Sequence, residues 1–175
     1  MKLFFDTEFT GLHKATTLIS LGIIAENGKT FYAEFTDYNQ DQVDSWVEEN
    51  VIANLRLINP YNSSLGCLEV RGDHAMVKER LIAWLAQFPS VEMWSDCLAY
   101  DWVLFCNIFG NAFDIPANVS YIPFDICTMF KILGIDPDIH REAFAGMDDA
   151  GVKHNALWDA RVIAACYTEL LEVSK

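Results

Sequence analysis

Over the N-terminal part of the chain, hydrophobic and polar positions alternate or run in short blocks; beyond it they recur at helical spacing. The run Leu3-Phe4-Phe5, leading into Asp6-Thr7-Glu8-Phe9-Thr10-Gly11-Leu12, predicts a strand that ends in two carboxylates. Thr16 to Glu26 reads as a second strand. Lys29 to Tyr38 reads as a third, with Phe31, Ala33 and Phe35 on one face. Asn27-Gly28 between them is a dipeptide favoured in two-residue hairpin turns, because both positions tolerate positive φ. An antiparallel meander is expected.

The period then changes. Val43, Trp46, Val47, Asn50, Val51 and Leu55 fit a helix over Gln42 to Leu57, and Asn59 to Ser64 breaks it as a loop. Met76, Val77, Arg80, Leu81, Trp84, Leu85 and Phe88 trace a second helix from Asp73 to Phe88, stopped by Pro89. Val91 to Trp94 is a short strand, Tyr100 to Phe109 a helix and Tyr121 to Phe124 another short strand. Asp125 to Leu133 is a helix ended by Gly134 and Pro137. Ile135 to Lys153 is polar and irregular, containing Gly146, Asp148, Asp149 and Gly151; it predicts a mobile loop with one helical turn near Glu142. Ala156 to Leu171 is strongly amphipathic. The order β-β-β-α-α-β-α-β-α-α predicts an α/β fold with a mixed sheet, antiparallel first and parallel later, flanked by helices.

Composition narrows this little. At 175 residues, 52% hydrophobic and 21% charged, one domain spanning residues 1–175 is expected. No apolar run reaches membrane-spanning length and no basic leader precedes an apolar signal core, so a cytoplasmic protein without membrane partners is expected. Cys67, Cys97, Cys106, Cys127 and Cys166 are odd in number and contain no C-x-x-C, which fits reduced thiols better than a disulfide framework or zinc site. Charge matters more. A net charge of −13 is wrong for a protein that grips the phosphate backbone along its length, so any nucleic-acid contact must be local, such as a chain end held through metal ions.

The candidate chemistry lies in carboxylates placed where apolar residues belong. Asp6 and Glu8 share a strand face, and keeping two such neighbours ionised calls for a cation. Asp159 sits on the apolar stripe of the last helix with Val162, Ile163, Cys166 and Leu170. Asp101 sits likewise with Leu104, Phe105 and Ile108. Each also lies in a first helical turn, where a carboxylate favours the helix dipole without any ligand. Asp96, at the exit of the Val91 to Trp94 strand, competes with Asp101. His154 lies just ahead of the last helix, with Asn155 as a plausible N-cap. Carboxylate oxygens favour hard cations such as Mg²⁺ or Mn²⁺ over zinc.

These residues resemble the three motifs of the DEDDh 3'-5' exonucleases. The segments are Asp6-Thr7-Glu8-Phe9-Thr10-Gly11-Leu12, Tyr100-Asp101, and His154-Asn155-Ala156-Leu157-Trp158-Asp159-Ala160. In layout the chain is closest to the small stand-alone bacterial and phage exoribonucleases of that group. The resemblance implies a ribonuclease H-like fold with a five-stranded mixed sheet. It also implies two divalent cations, Mg²⁺ or Mn²⁺, held by Asp6, Glu8, Asp101 and Asp159, with His154 as general base. Thr10, Gly11 and Leu12 would receive the terminal nucleotide. The implied reaction is hydrolysis of single-stranded RNA or a 3' overhang to nucleoside 5'-monophosphates, with single-stranded DNA as the alternative substrate. A non-catalytic nucleic-acid or protein-binding module on the same fold is the alternative from another class. Two departures stand out: the second motif reads Ser95-Asp96-Cys97-Leu98-Ala99-Tyr100-Asp101 without the usual Asn, and Phe9 replaces a smaller residue. Dimerisation is frequent among the small relatives, and aromatic residues on the middle helices could supply a homodimer interface.

Overall fold

A computed structural model describes residues 1–57, 61–64, 67–147 and 151–175, with the backbone alone at 61–64. Its sheet is built outward from β1 (Lys2–Phe9). β1 pairs antiparallel with β2 (Leu18–Ala25), which pairs antiparallel with β3 (Thr30–Phe35) across the Asn27-Gly28 turn. On its other edge β1 pairs in parallel with β6 (Glu92–Ser95), and β6 with β7 (Phe124–Asp125). These five strands form the mixed sheet expected from the sequence.

The sheet does not stop at five. β5 (Cys67–Gly72) adds in parallel to β3, and β4 (Tyr61–Ser64) adds antiparallel to β5, giving the order β4-β5-β3-β2-β1-β6-β7. Residues 61–64 are therefore strand where the sequence read as loop; Asn59 and Pro60 lie outside the described residues. β5 is illegible because only Val70 and Gly72 are buried, so its apolar alternation is too short to register.

The helices cover both faces. On one, α2 (His74–Leu85) and α3 (Leu98–Phe109) bury Val77, Leu81, Trp84, Leu104, Phe105 and Phe109 against Leu3, Phe5, Leu21 and Phe31. Of the aromatic residues on or next to these middle helices, Trp84, Phe88, Phe105 and Phe109 are core, while Tyr100 and Trp102 of α3 stay partly exposed. On the other face, α4 (Ile126–Ile132) and α6 (Ala156–Val173) pack Ile126, Phe130, Val162, Ile163, Cys166 and Leu170 onto Phe4. The expected helix over Gln42 to Leu57 is instead a short α1 (Ser45–Asn50) between 3₁₀ turns at Gln40–Gln42 and Ile52–Asn54. Asp44 caps it by accepting from the Val47 N–H, and Val51 departs to φ −111°, breaking the ladder. The last β7 strand is two residues long and begins at Phe124, later than Tyr121. The helical turn near Glu142 is α5 (Arg141–Phe144), whereas Asp148 and Asp149 lie outside the described residues. No helix among the described residues is long and apolar enough to cross a membrane.

One close approach fixes where α6 begins. Gly22 in β2 stands opposite Asp6 in β1, and a Cβ on it would lie 2.2 Å from the Ala156 carbonyl carbon and the Leu157 nitrogen. Both partners are backbone, so nothing flexible can yield. Gly22→Ala is therefore expected to displace the start of α6, costing about 3 kcal/mol or more, equivalent to a fall of roughly 6–12 °C in thermal midpoint. Thermal denaturation followed by circular dichroism measures it; an unchanged midpoint would mean α6 is not held by this contact.

Candidate active site

β1 alternates. Leu3, Phe5 and Thr7 point to one face, while Phe4, Asp6 and Glu8 point to the α6 face. A register shift between Glu8 and Phe9 ends regular pairing with β2 at this point, as bulges beside functional residues often do. Asp159, in the first turn of α6, faces the same place from above. Asp101, in the first turn of α3, reaches it from beside β1. It is 6% exposed, accepting at Oδ1 from the Thr7 backbone N–H at 3.2 Å and the Thr7 hydroxyl, and at Oδ2 from Ser95 Oγ at 3.4 Å.

The structure thus brings together all four carboxylates and the imidazole singled out from sequence. Their ligand-capable atoms fall into two groups, each within 4.8 Å: Glu8, His154 and Asp159, and Asp6, Asp96 and Asp101. Asp96 does not displace Asp101; both stand in the second group. Asp96 forms an ion pair with Arg141 of α5.

Crowded, partly desolvated carboxylates hold protons. Burial pushes Glu8 up to about 8, helped by Asp159 and Asp101. Burial pushes Asp101 up to about 7 against the opposing Thr7 hydrogen bonds, and Asp159 to about 7 against an opposing backbone bond from His154. Asp6 is raised well above the usual carboxylate range, by burial first and then by Asp101, Glu8 and Asp159. Its Oδ2 is buried with no hydrogen-bond partner among the described residues. A buried anionic oxygen without a donor, ringed by further anions, fits a cation. The donor set, carboxylate oxygens with one imidazole, suits a hard divalent ion.

His154 adopts φ +60°, a left-handed conformation that costs a non-glycine residue and often marks a functional position. Its Nδ1 lies 3.9 Å from Glu8 Oε1, and its ring meets the Trp46 ring edge-to-face at 5.0 Å. Burial, and secondarily the charge of Lys153, lower its pKa, favouring neutral imidazole. Behind it Asn155 caps α6 by accepting from the Trp158 N–H at 3.2 Å, while its Nδ2 donates to Tyr32 Oη and the Asn54 carbonyl. Tyr32 donates to Glu34, which also accepts the Arg56 and Leu57 N–H groups at 2.7 and 3.0 Å. This polar cluster under α6 sets the entry of His154 into the site.

The cleft holding these groups has a volume of about 780 Å³. Gly11 and Leu12 line it, and Leu12 is 78% exposed. Thr10 is buried beneath the rim instead: its Oγ1 donates to Gln42 Oε1 at 2.7 Å and accepts from the Thr17 N–H at 2.9 Å. Gly11 N–H donates to Thr16 Oγ1, so the turn satisfies its own polar groups and presents Leu12 outward. Phe9 stacks on Tyr100 at 5.3 Å, joining the first and second motifs across the cleft floor. Arg141 and Trp46 also line the cleft. Neither was singled out from sequence for the site: Arg141 lay in a polar stretch without periodicity, and Trp46 read as a helix-core position.

A family model described as the 3'-5' exoribonuclease Rv2179c-like domain matches residues 1–171. Two relatives from Mycobacterium tuberculosis, 3'-5' exoribonuclease Rv2179c of strain H37Rv and 3'-5' exoribonuclease MT2234.1 of strain CDC 1551, are each 31% identical over 119 residues. That alignment covers 68% of this chain and 67% of each relative. Among solved structures, the chain resembles the catalytic unit (protease and nuclease domain) of Neurospora crassa Pan2 with a TM-score of 0.49 at 13% identity, over 99% of this chain and 27% of that one. With its acidic cleft formed by the ends of β1, α3 and α6, the chain belongs to the Rv2179c-like 3'-5' exoribonuclease domain family.

Proposed function

We propose that this chain is a divalent-cation-dependent 3'-5' exoribonuclease, residues 1–175 acting as one domain in the cytoplasm. It releases nucleoside 5'-monophosphates from single-stranded RNA or a 3' overhang. The carrying observation is the buried Asp6 Oδ2, without a hydrogen-bond partner among the described residues, in the Asp6–Asp96–Asp101 group that shares its cleft with the Glu8–His154–Asp159 group. Asp6, Glu8, Asp101 and Asp159 would hold two ions, Mg²⁺ or Mn²⁺, which supply charge neutralisation at the scissile phosphate and acidify water.

The chain's own residues supply the rest. Neutral His154, beside Glu8 at the cleft wall, takes a proton from the attacking water at one of its ring nitrogens. Thr7 and Ser95 hold the Asp101 carboxylate in a fixed rotamer. Leu12, projecting into the cleft from a self-satisfied turn, offers an apolar edge against the terminal base. The −13 net charge disfavours a long grip on the strand, so recognition concentrates at the 3' end.

The deciding assay uses 5'-labelled single-stranded RNA, single-stranded DNA and duplex RNA with a 3' overhang, each with Mg²⁺ or Mn²⁺ and with EDTA. A ladder shortening from the 3' end of the RNA substrates, abolished by EDTA, is expected. Equal or faster digestion of DNA would transfer the assignment to an exodeoxyribonuclease, and binding without cleavage would leave a recognition module.

A further inference from the structure

The second carboxylate group contains a cation of the chain's own. Arg141 Nε forms an ion pair with Asp96 without a hydrogen bond to any of the described residues, and a carboxylate oxygen of Asp96 lies within 4.8 Å of ligand atoms of Asp6 and Asp101. The guanidinium is held from behind by Nη2, which donates to Cys127 Sγ at 3.1 Å and to the Pro137 carbonyl at 3.5 Å, and the Arg141 main chain is tied separately where its carbonyl accepts from Cys166 Sγ at 3.4 Å. Phe144, one turn on, packs edge-on against Phe130 of α4 at 5.0 Å. Other acids nearby are engaged elsewhere. Asp125 caps α4 through the Cys127 N–H, and Glu142 lies 3.7 Å from His140 Nε2. Asp96 is thus the carboxylate that this guanidinium serves.

An arginine cannot give up its charge. Any ion entering the Asp6–Asp96–Asp101 group meets a fixed positive charge on the carboxylate it would share. We propose that Arg141 is a positioning residue that sets the cation affinity of this group by competing with the ion for Asp96. The inference rests on the reading of the cleft as a cation-dependent centre. It explains why a fifth carboxylate can stand in the cluster without over-tightening it: Arg141 cancels its excess charge and keeps the ion exchangeable.

The test is calorimetric titration of Mn²⁺ into the full, metal-stripped chain, independent of activity. Arg141→Gln is expected to bind Mn²⁺ about tenfold more tightly, a change of the size that partners behind a ligand make but of opposite sign, because this one competes with the ion. Arg141→Lys, which keeps the charge, should bind Mn²⁺ much as the native chain does. In Asp96→Asn the further change Arg141→Gln should no longer tighten binding, since the competitor has nothing to compete for. Unchanged or weaker binding in Arg141→Gln, with thermal stability alone reduced, would overturn the inference and leave the pair a clasp for α5. Equal tightening in Arg141→Lys would overturn it as well. If the native chain takes up no Mn²⁺ at all, the cation-dependent reading itself fails, and the inference falls with it.

Discussion

His154→Ala is expected to lower kcat by about 10²–10⁴-fold, the range for loss of a positioned general base, with a far smaller change in KM. The pH profile should change shape as well. Burial and Lys153 lower the His154 pKa below that of free imidazole, so the native base is neutral at pH 7 and loses activity only as pH falls and the ring protonates. Without the ring, the imidazole's share of that acidic limb should vanish, leaving the limb set by protonation of the cation-holding carboxylates. Stability should move little: alanine at φ +60° is strained as histidine is, and the main loss is the ring contact with Trp46. Because the imidazole also lies within reach of Glu8 and Asp159, a competing role as cation ligand has a separate signature. If His154→Ala removes one bound Mn²⁺ in titration, the residue holds an ion and the base must be sought elsewhere.

The features legible in sequence are those written in local period. Asp6 and Glu8 share a face because strands repeat every two residues, and Asp159 betrays itself by interrupting an apolar helical stripe. The meander was legible from Asn27-Gly28 and the alternation of Phe31, Ala33 and Phe35. What local period cannot show is burial on both faces. Tyr32 and Glu34 fall on the polar side of that alternation, yet both are fully buried under α6, where Asn155 meets the Tyr32 hydroxyl and the Arg56 and Leu57 N–H groups meet Glu34 Oε1, leaving Oε2 without a hydrogen bond among the described residues. Their role in seating His154 depends on contacts across most of the chain. Arg141 was hidden for the same reason: its partner Asp96 lies on another element, and no spacing rule joins a loop turn to a strand exit. The Thr10-Gly11-Leu12 segment was legible as a unit, but its division of labour was not. Buried Thr10 acts as a strut for the turn, while exposed Leu12 is left to face a ligand.

Asp6→Asn should abolish RNA cleavage while making the metal-free protein more stable. Asp6 Oδ2 has no donor among the described residues and feels Asp101, Glu8 and Asp159, so the native fold without cations carries repulsion and desolvation. Each kcal/mol relieved is worth about 2–4 °C in thermal midpoint for a chain of this size, and a rise of several degrees is expected. The pH dependence follows from linkage. Folding raises Asp101 and Asp159 to about 7 and Glu8 to about 8, above their unfolded values, so the folded state binds more protons than the unfolded one. Their contribution to stability is fully present below the unfolded carboxylate range and is lost as pH rises through 7 to 8. The native metal-free midpoint should therefore fall across that window, and Asp6→Asn should flatten the fall. Added Mn²⁺ acts in the opposite sense, because it favours the ionised carboxylates. It should stabilise the native chain more at pH 8 than at pH 5, the total stabilisation reaching about 2.7 kcal/mol wherever Mn²⁺ is present at a hundred times its Kd. The same addition should do little for Asp6→Asn. Differential scanning fluorimetry across pH, with and without Mn²⁺, reads all of these effects. A variant less stable than native without metal would show that Asp6 is a structural anion, and the cation cage centred on it would have to be abandoned.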